Sequence, residues 1–426
     1  GAVAVRRITG WPLEVCGRIL SAAAIALGGW GLFELVSRRE GSRVALAALM
    51  AFSFFPITVR YGRAFQPDAL MLGAVLAGVS CWDRASRKEG EGKGWMVAAW
   101  LWLAIGFAAK VTSTLVLLPL ASMTPPPRRA GKCLLAASAM GPVLLWYLWA
   151  NYLTDATTGS KAAAENRSIW MGVVGLGALA RAQTWAHIGR FLLVRAFTPL
   201  GVLLGTWGLW QKSAGASGPG VSWLEPWRLW GLSVLLVMAA LAEKMRHEYY
   251  WLILAPVVAV GVGRAWARLA ARRPLTAWGV GLAHLFLCGL LAYSTFQTPR
   301  EWENLAAAAR TCGLLVARDN LLVAPEPLLY LADRRGCRLE YTSSAAVRAA
   351  AEWPAHCLGA EAGPLELLEF YRAQGARFLA DVGAAPGDLR RIALHEAIRA
   401  RYKLMIDTCP LFLVELNAVE TSTHAQ

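Results

Sequence analysis

Charge is scarce in this sequence. Asp, Glu, Lys and Arg make up 17% of the 426 residues, while 56% are apolar and 20 are tryptophan. A soluble domain carries about a quarter charged residues, so the composition excludes an ordinary water-soluble globule. Acid is scarcer still: 28 Asp and Glu stand against 43 Lys and Arg, for a formal charge of +15. The eight cysteines show no CxxC or Cys/His spacing, which removes the common structural zinc sites. There is no GxGxxG and no phosphate loop, so nucleotide binding has no motif to rest on. No secretory signal is legible, and the chain opens on Gly1 without a methionine; an upstream segment is therefore expected.

What is present is a series of apolar runs, about 13–37, 43–59, 67–83, 95–109, 111–122, 133–150, 191–211, 228–243, 248–266 and 274–295. Repeated runs approaching about 20 residues indicate membrane-crossing helices. The cations lie in short loops between them. Arg38, Arg39, Arg43, Arg84, Arg87, Lys88, Lys93, Arg128, Arg129, Lys132, Lys212, Arg228, Arg264, Arg268, Arg272 and Arg273 fall on one side when the loops are alternated. The positive-inside rule makes that side the cytoplasm. The stretch 60–68, Lys110, the loop 151–190, the junction near Lys244–Glu248 and the C-terminal tail then share the external face. Cations distributed in this way set topology, so no nucleic-acid partner is expected.

After Tyr293 the pattern changes. Helices are expected over 302–317, 326–335, 365–374 and 388–401, and short strands over 321–324, 338–341, 377–381 and 411–416. Alternation at this spacing reads as a small α/β domain. The expected fold class is an α-helical polytopic membrane protein of about ten transmembrane helices, residues 1–295, followed by a small extracytoplasmic α/β domain, residues 296–426. Cys312, Cys337, Cys357 and Cys409 lie in that tail and could pair in three ways if it is outside the cytoplasm. Residues 213–222 read as a flexible linker, and Asn166-Arg167-Ser168 matches a glycosylation sequon.

The stretch Tyr61-Gly62-Arg63-Ala64-Phe65-Gln66-Pro67-Asp68, preceded by Arg60, is a polar knot between two apolar runs. One reading makes Asp68 a helix-opening charge behind a first-position proline, favoured by the helix dipole. The other makes it part of a site for a charged lipid, together with Arg63. Lys110 joins two short apolar runs, either as a helix-end lysine that snorkels or as a cation facing a cavity. Lys244, Arg246 and Tyr249 lie in a second cluster, Glu243–Tyr250. They suit either an aromatic belt with flanking charges or an anion site for a lipid phosphate.

These landmarks carry a family resemblance. Arg60–Met71, Gly106-Phe-Ala-Ala-Lys110 and Lys244–Pro256 resemble, in this order, the landmarks of the polyprenyl-phosphate-sugar-dependent glycosyltransferases of the GT-C superfamily. Protein O-mannosyltransferases and the lipid A aminoarabinose and galacturonic acid transferases belong to that group. The resemblance covers residues 1–295. It implies inverting transfer of a sugar from a polyprenyl-phosphate donor to an acceptor hydroxyl on lipid, glycan or protein, at the external face of a bacterial plasma membrane, with membrane lipids as surroundings. It assigns Asp68 a catalytic role and Arg63, Lys110, Lys244, Arg246 and Tyr249 to the donor phosphate. The family's usual catalytic aspartate lies in a first external loop whose end resembles Gly10-Trp11, and it is expected upstream of Gly1. No cofactor is assigned, and dependence on a divalent metal is left open. A transporter or flippase of lipid-linked sugars and a non-catalytic membrane scaffold are the rival readings.

Overall fold

The computed structural model describes residues 1–87, 92–125, 129–157, 177–211, 225–241, 247–351, 353, 358–359, 361–383 and 387–418. The described residues divide into two compact units, 1–153 with 177–296 and 154–157 with 297–418.

The first unit is a bundle of α1 (Ala2–Thr9), α2 (Leu13–Glu40), α3 (Ser42–Phe54), α4 (Pro56–Gly62), α5 (Pro67–Arg87), α6 (Lys93–Ala109), α7 (Leu117–Met123), α8 (Arg129–Ser138), α9 (Gly141–Thr157), α10 (Ala182–Arg190), α11 (Pro199–Trp210), α12 (Pro226–Ala240), α13 (Ala255–Arg272) and α14 (Pro274–Ala292). Helices α4, α5, α11, α12 and α14 open on proline, whose missing N–H costs nothing there and whose φ is already helical. The described part of each of the ten apolar runs is mainly helical, with breaks at Phe55, Ala139–Met140 and Phe197–Thr198. Among the described residues, by length and apolarity, four stretches could cross a membrane unaided, and six if two bent pairs each count as one span. The rest differ from the ten-span expectation for physical reasons. Lys93–Ala109, Val111–Met123 and Pro226–Ala240 are short, and α5 carries Asp68, Asp83, Arg84 and Arg87 at its ends.

Small residues let the backbones touch. A Cβ on Gly73 of α5 would lie 2.1 Å from the Ala24 carbonyl oxygen of α2, and one on Gly208 of α11 would lie 1.8 Å from that of Gly261 on α13. Such close approach is how helices associate where lipid supplies no hydrophobic drive.

The bent pairs meet at one place. The chain turns by 62° between α3 and α4, and by 98° between Ala182–Ala196 and α11. The second break follows a π-helical turn, Phe191–Ala196, and is made by Thr198 at φ 65°. A threonine there is strained by about 1–3 kcal/mol. Its Oγ1 accepts from Gly201 N at 3.0 Å and lies 3.3 Å from His284 Nδ1 on α14. Phe55, at the first break, packs edge-on against both Phe197 and His284. The breaks therefore support each other, with their polar atoms partnered inside protein.

Charges lie at both ends of α5. At its C-terminal end, buried Asp83 accepts from Arg38 Nε at 3.1 Å, Arg39 Nε at 2.8 Å and Arg87 Nε at 3.2 Å. Near the C-terminal half of α13, Arg264, 5% exposed, is held by Glu40 and Glu225. Asp68 stands at the other end of α5, fifteen residues before Asp83, or about 22 Å along the axis at 1.5 Å per residue.

The second unit is a five-stranded sheet with helices. Strands β1 (Leu321–Ala324), β2 (Gly336–Arg338), β3 (Ala376–Val382), β4 (Tyr402–Thr408) and β5 (Leu411–Ala418) lie in the order β2-β1-β3-β5-β4. The β1–β2 and β1–β3 pairs are parallel, and β3–β5 and β4–β5 antiparallel. Helices α15 (Arg300–Leu315), α16 (Glu326–Ala332), α17 (Ser343–Ala351), α18 (Pro364–Ala373) and α19 (Leu389–Arg399) complete it. Two apolar clusters form its core; Cys312 belongs to one and Cys337 to the other. That placement is why they do not pair: both are buried free thiols, and Cys409 is an exposed one. Burial pushes the Cys312 thiol up to about 11 and that of Cys337 to about 12. Cys357, the linker 213–222 and the sequon at Asn166 lie outside the described residues.

Candidate active site

The site is built at helix ends. α4 stops at Gly62, a short turn carries Arg63–Gln66, and Pro67 opens α5 with Asp68 in its first turn. Asp68 is 3% exposed, so it is not a solvated boundary charge and needs a partner.

That partner is Lys110. Its φ of −161° and ψ of 113° end α6 in extended backbone, before a 3-10 turn over Val111–Val116. The break is anchored: Lys110 N donates to Gly106 O at 3.1 Å, and Ser113 Oγ donates to Lys110 O at 2.8 Å. Gly106 lets α6 lie close to α5, since a Cβ there would come within 2.8 Å of Val75 Cγ2. In the result Lys110 Nζ donates to Asp68 Oδ1 at 2.6 Å. Its ammonium also lies 4.2 Å from the Tyr249 ring centroid and 3.9 Å from that of Tyr250. Both tyrosines come from the 3-10 helix Glu248–Leu254, and cation–π contact of this kind offsets part of the lost hydration.

A second carboxylate lies beside the first. Glu248 Oε2 accepts from Arg60 Nη1 at 2.7 Å and from Tyr61 OH at 3.1 Å, while Oε1 lies 2.7 Å from Arg195 Nη1. The Tyr61 and Tyr249 rings meet edge-on at 6.2 Å, which ties the two carboxylate groups together. Arg60 Nε also donates to Thr295 Oγ1 at 3.4 Å. Arg63 is placed differently. Its guanidinium lies 4.8 Å over the Phe296 ring, and among the described residues no carboxylate pairs with it. Among the described residues two carboxylates thus face four cations, an excess of two positive charges.

The structure therefore brings together Asp68, Lys110 and Tyr249, with Arg63 at the same end of the bundle. Lys244 and Arg246 lie outside the described residues. Tyr249 serves Lys110 through its ring face. Sequence reasoning missed Glu248 as a hub, and Arg195 with it. An arginine inside the apolar run 191–211 was the available signal, because charge within such a run is costly unless used. Among the described residues no three His, Cys, Asp or Glu side chains converge as a metal site.

Broken helices that gather charge at one end of an apolar bundle define a polytopic membrane protein with a polar site at its edge. Residues 4–124 match the family model described as dolichyl-phosphate-mannose-protein mannosyltransferase. The whole chain is similar in structure to ArnT from Cupriavidus metallidurans bound to undecaprenyl phosphate, with TM-score 0.65 and 12% identity, over 97% of this chain and 86% of that one. It is similar to the arabinofuranosyltransferase AftD from Mycobacteria, with TM-score 0.58 and 14% identity, over 98% of this chain but 35% of that one. It also resembles the oligosaccharyltransferase AglB from Archaeoglobus fulgidus in complex with an inhibitory peptide and a dolichol-phosphate, with TM-score 0.52 and 12% identity, over 87% of this chain and 58% of that one. No curated protein sequence matches. By fold the chain is similar to these three solved structures, and over residues 4–124 it is similar in sequence to that family model, in line with the resemblance carried by its sequence landmarks.

Proposed function

We propose that this chain is a membrane glycosyltransferase that moves a sugar from a polyprenyl-phosphate donor to an acceptor hydroxyl at the bundle end carrying Asp68, which the positive-inside rule makes the external face. The observation that carries the reading is the positive excess at this end, with Arg63 free of any carboxylate among the described residues. When the bond to the sugar breaks, negative charge grows on the departing phosphate. A cation already in place and partly dehydrated stabilises that charge more than it stabilises the bound donor. Arg63 fits a phosphate through its planar fork. Lys110 has three N–H groups, one of them engaged by Asp68, so Asp68 orients the ammonium and acts through it. Asp68 and Glu248 are both held by cations, and this reading gives neither the acceptor's proton. Tyr249 holds Lys110 through its ring face. Lys244 and Arg246 complete the donor set in this reading.

The test is transfer of label from a polyprenyl-phosphate sugar pool by full-length protein in liposomes. Arg63→Ala should lower transfer about a hundredfold, the scale of losing one charge-stabilising donor, and Arg63→Lys should restore part of it. Wild-type activity in Arg63→Ala would overturn the assignment. The broken helices also suit a transporter of lipid-linked sugars. Movement of intact donor across the bilayer without transfer would favour that reading.

A further inference from the structure

At the end of the first unit remote from Asp68, a groove of about 570 Å³ opens between α3, α13 and α14, a volume typical of small-ligand sites. Its floor is the α3–α13 seam, tight enough that a Cβ on Gly263 would lie 2.6 Å from Val44 O. Trp266 and Trp278, edge-on at 5.8 Å, form one wall, and Trp266 is fixed by donating to Ala277 O at 3.0 Å. Leu46 and Met50 form the other wall. The groove runs along α3 from Arg43 to Ala51, about 12 Å at 1.5 Å per residue. That is a little less than half of the about 30 Å hydrocarbon core, the depth of one acyl chain in one leaflet. It ends at His284, which is 3% exposed and already engaged by Thr198.

The open end is cationic. Arg43 lines it, and Arg268, Arg272 and Arg273 stand exposed on the last turns of α13 and just beyond. Among the described residues no carboxylate pairs with any of the four. An apolar slot one leaflet deep with unneutralised arginines at its mouth has the charge and shape of an amphiphile. We propose that the groove is a binding site for an anionic phospholipid of the leaflet opposite the Asp68 end, with one acyl chain between Trp266, Trp278 and Met50 and the phosphate at Arg43. The site rests on the membrane fold alone and is independent of the transferase reading.

The test titrates full-length protein in maltoside micelles with dioleoyl phosphatidylglycerol or dioleoyl phosphatidylcholine and counts bound lipids by native mass spectrometry. Phosphatidylglycerol should bind at least fivefold more tightly, on the basis of about 1 kcal/mol for one arginine near an anionic lipid. Arg43→Ala should lower that preference about fivefold. Ala47→Trp, which fills the slot, should remove one tightly bound lipid of either kind while the helical circular dichroism is unchanged. Equal affinity for the two lipids, or an unchanged lipid count in Ala47→Trp, would show an adventitious annular lipid only and overturn the proposal.

Discussion

The pair formed by Lys110 and Asp68 can be tested by a double-mutant cycle. The two side chains are 16% and 4% exposed, so each is desolvated and depends on the other. Removing one member of a buried pair costs about 3–5 kcal/mol, because the remaining charge is stranded. The two single changes are not equivalent. Lys110→Met strands the Asp68 carboxylate, which among the described residues has no other cation, and should cost about 4 kcal/mol. Asp68→Asn leaves the ammonium against Tyr249 and Tyr250, and cation–π contact worth about 2 kcal/mol when desolvated should reduce the cost to about 2 kcal/mol. The double variant strands neither charge and should cost about 3 kcal/mol instead of the additive 6, a coupling of about 3 kcal/mol. The assay is reversible unfolding from mild micelles into sodium dodecyl sulfate, followed by tryptophan fluorescence. Additivity within about 0.5 kcal/mol would refute the pairing and, with it, the claim that Asp68 acts through Lys110.

Further outcomes follow from packing and titration. Gly208→Ala sets a Cβ 1.8 Å from Gly261 O, whereas Gly94 has nothing within 4 Å. The first change should destabilise by at least about 1–3 kcal/mol as overpacking, the second should be near neutral, and the same unfolding assay compares them. In the second unit, Arg399 donates to Asp407 through Nε at 2.7 Å and Nη2 at 3.0 Å. That hydrogen bonding, against a smaller effect of burial, holds the Asp407 carboxyl below its usual range. A depressed carboxyl contributes stability above the unfolded value of about 3.9 and loses it as pH falls through the folded value. Asp407→Asn should therefore speed pepsin cleavage within Tyr402–Ala418 relative to wild type at pH about 4.5, with the ratio falling towards one as the pH is lowered. A ratio independent of pH would contradict the assignment.

Much of the first unit was legible because an apolar run is a local property. The break at Lys110 was legible too, since a lysine between two short runs has nowhere comfortable inside a span. The partnership of Arg60 with Glu248 was not, because it joins residues 188 apart. The same limit hid Arg195, whose partner is set by the bend at Thr198. In the second unit the expected strands overlap β1, β2, β3 and β5. β4 was missed because the helix expected over 388–401 ran directly into Tyr402, although Lys403–Thr408 pairs along β5. α17 was missed because its Ala-rich sequence, Ser343–Ala351, carries little apolar contrast. The mixed sheet order turns on the β1–β3 pairing, Leu321 with Ala376, a contact across more than fifty residues that no short pattern reports.

The charge clusters at the two ends of α5 have a consequence for how the protein tolerates different membranes. With Asp83 bound by Arg38 and Arg39 of α2 at one end and Asp68 by Lys110 at the other, α5 cannot slide along its axis without stranding a charge. A span held only by apolar side chains adjusts to a thicker or thinner bilayer by tilting or shifting, at fractions of a kcal/mol per Å. α5 is a fixed gauge about 22 Å long between the two clusters. Lys110 is then held at a constant distance from the Asp83 cluster, whatever surrounds the helix.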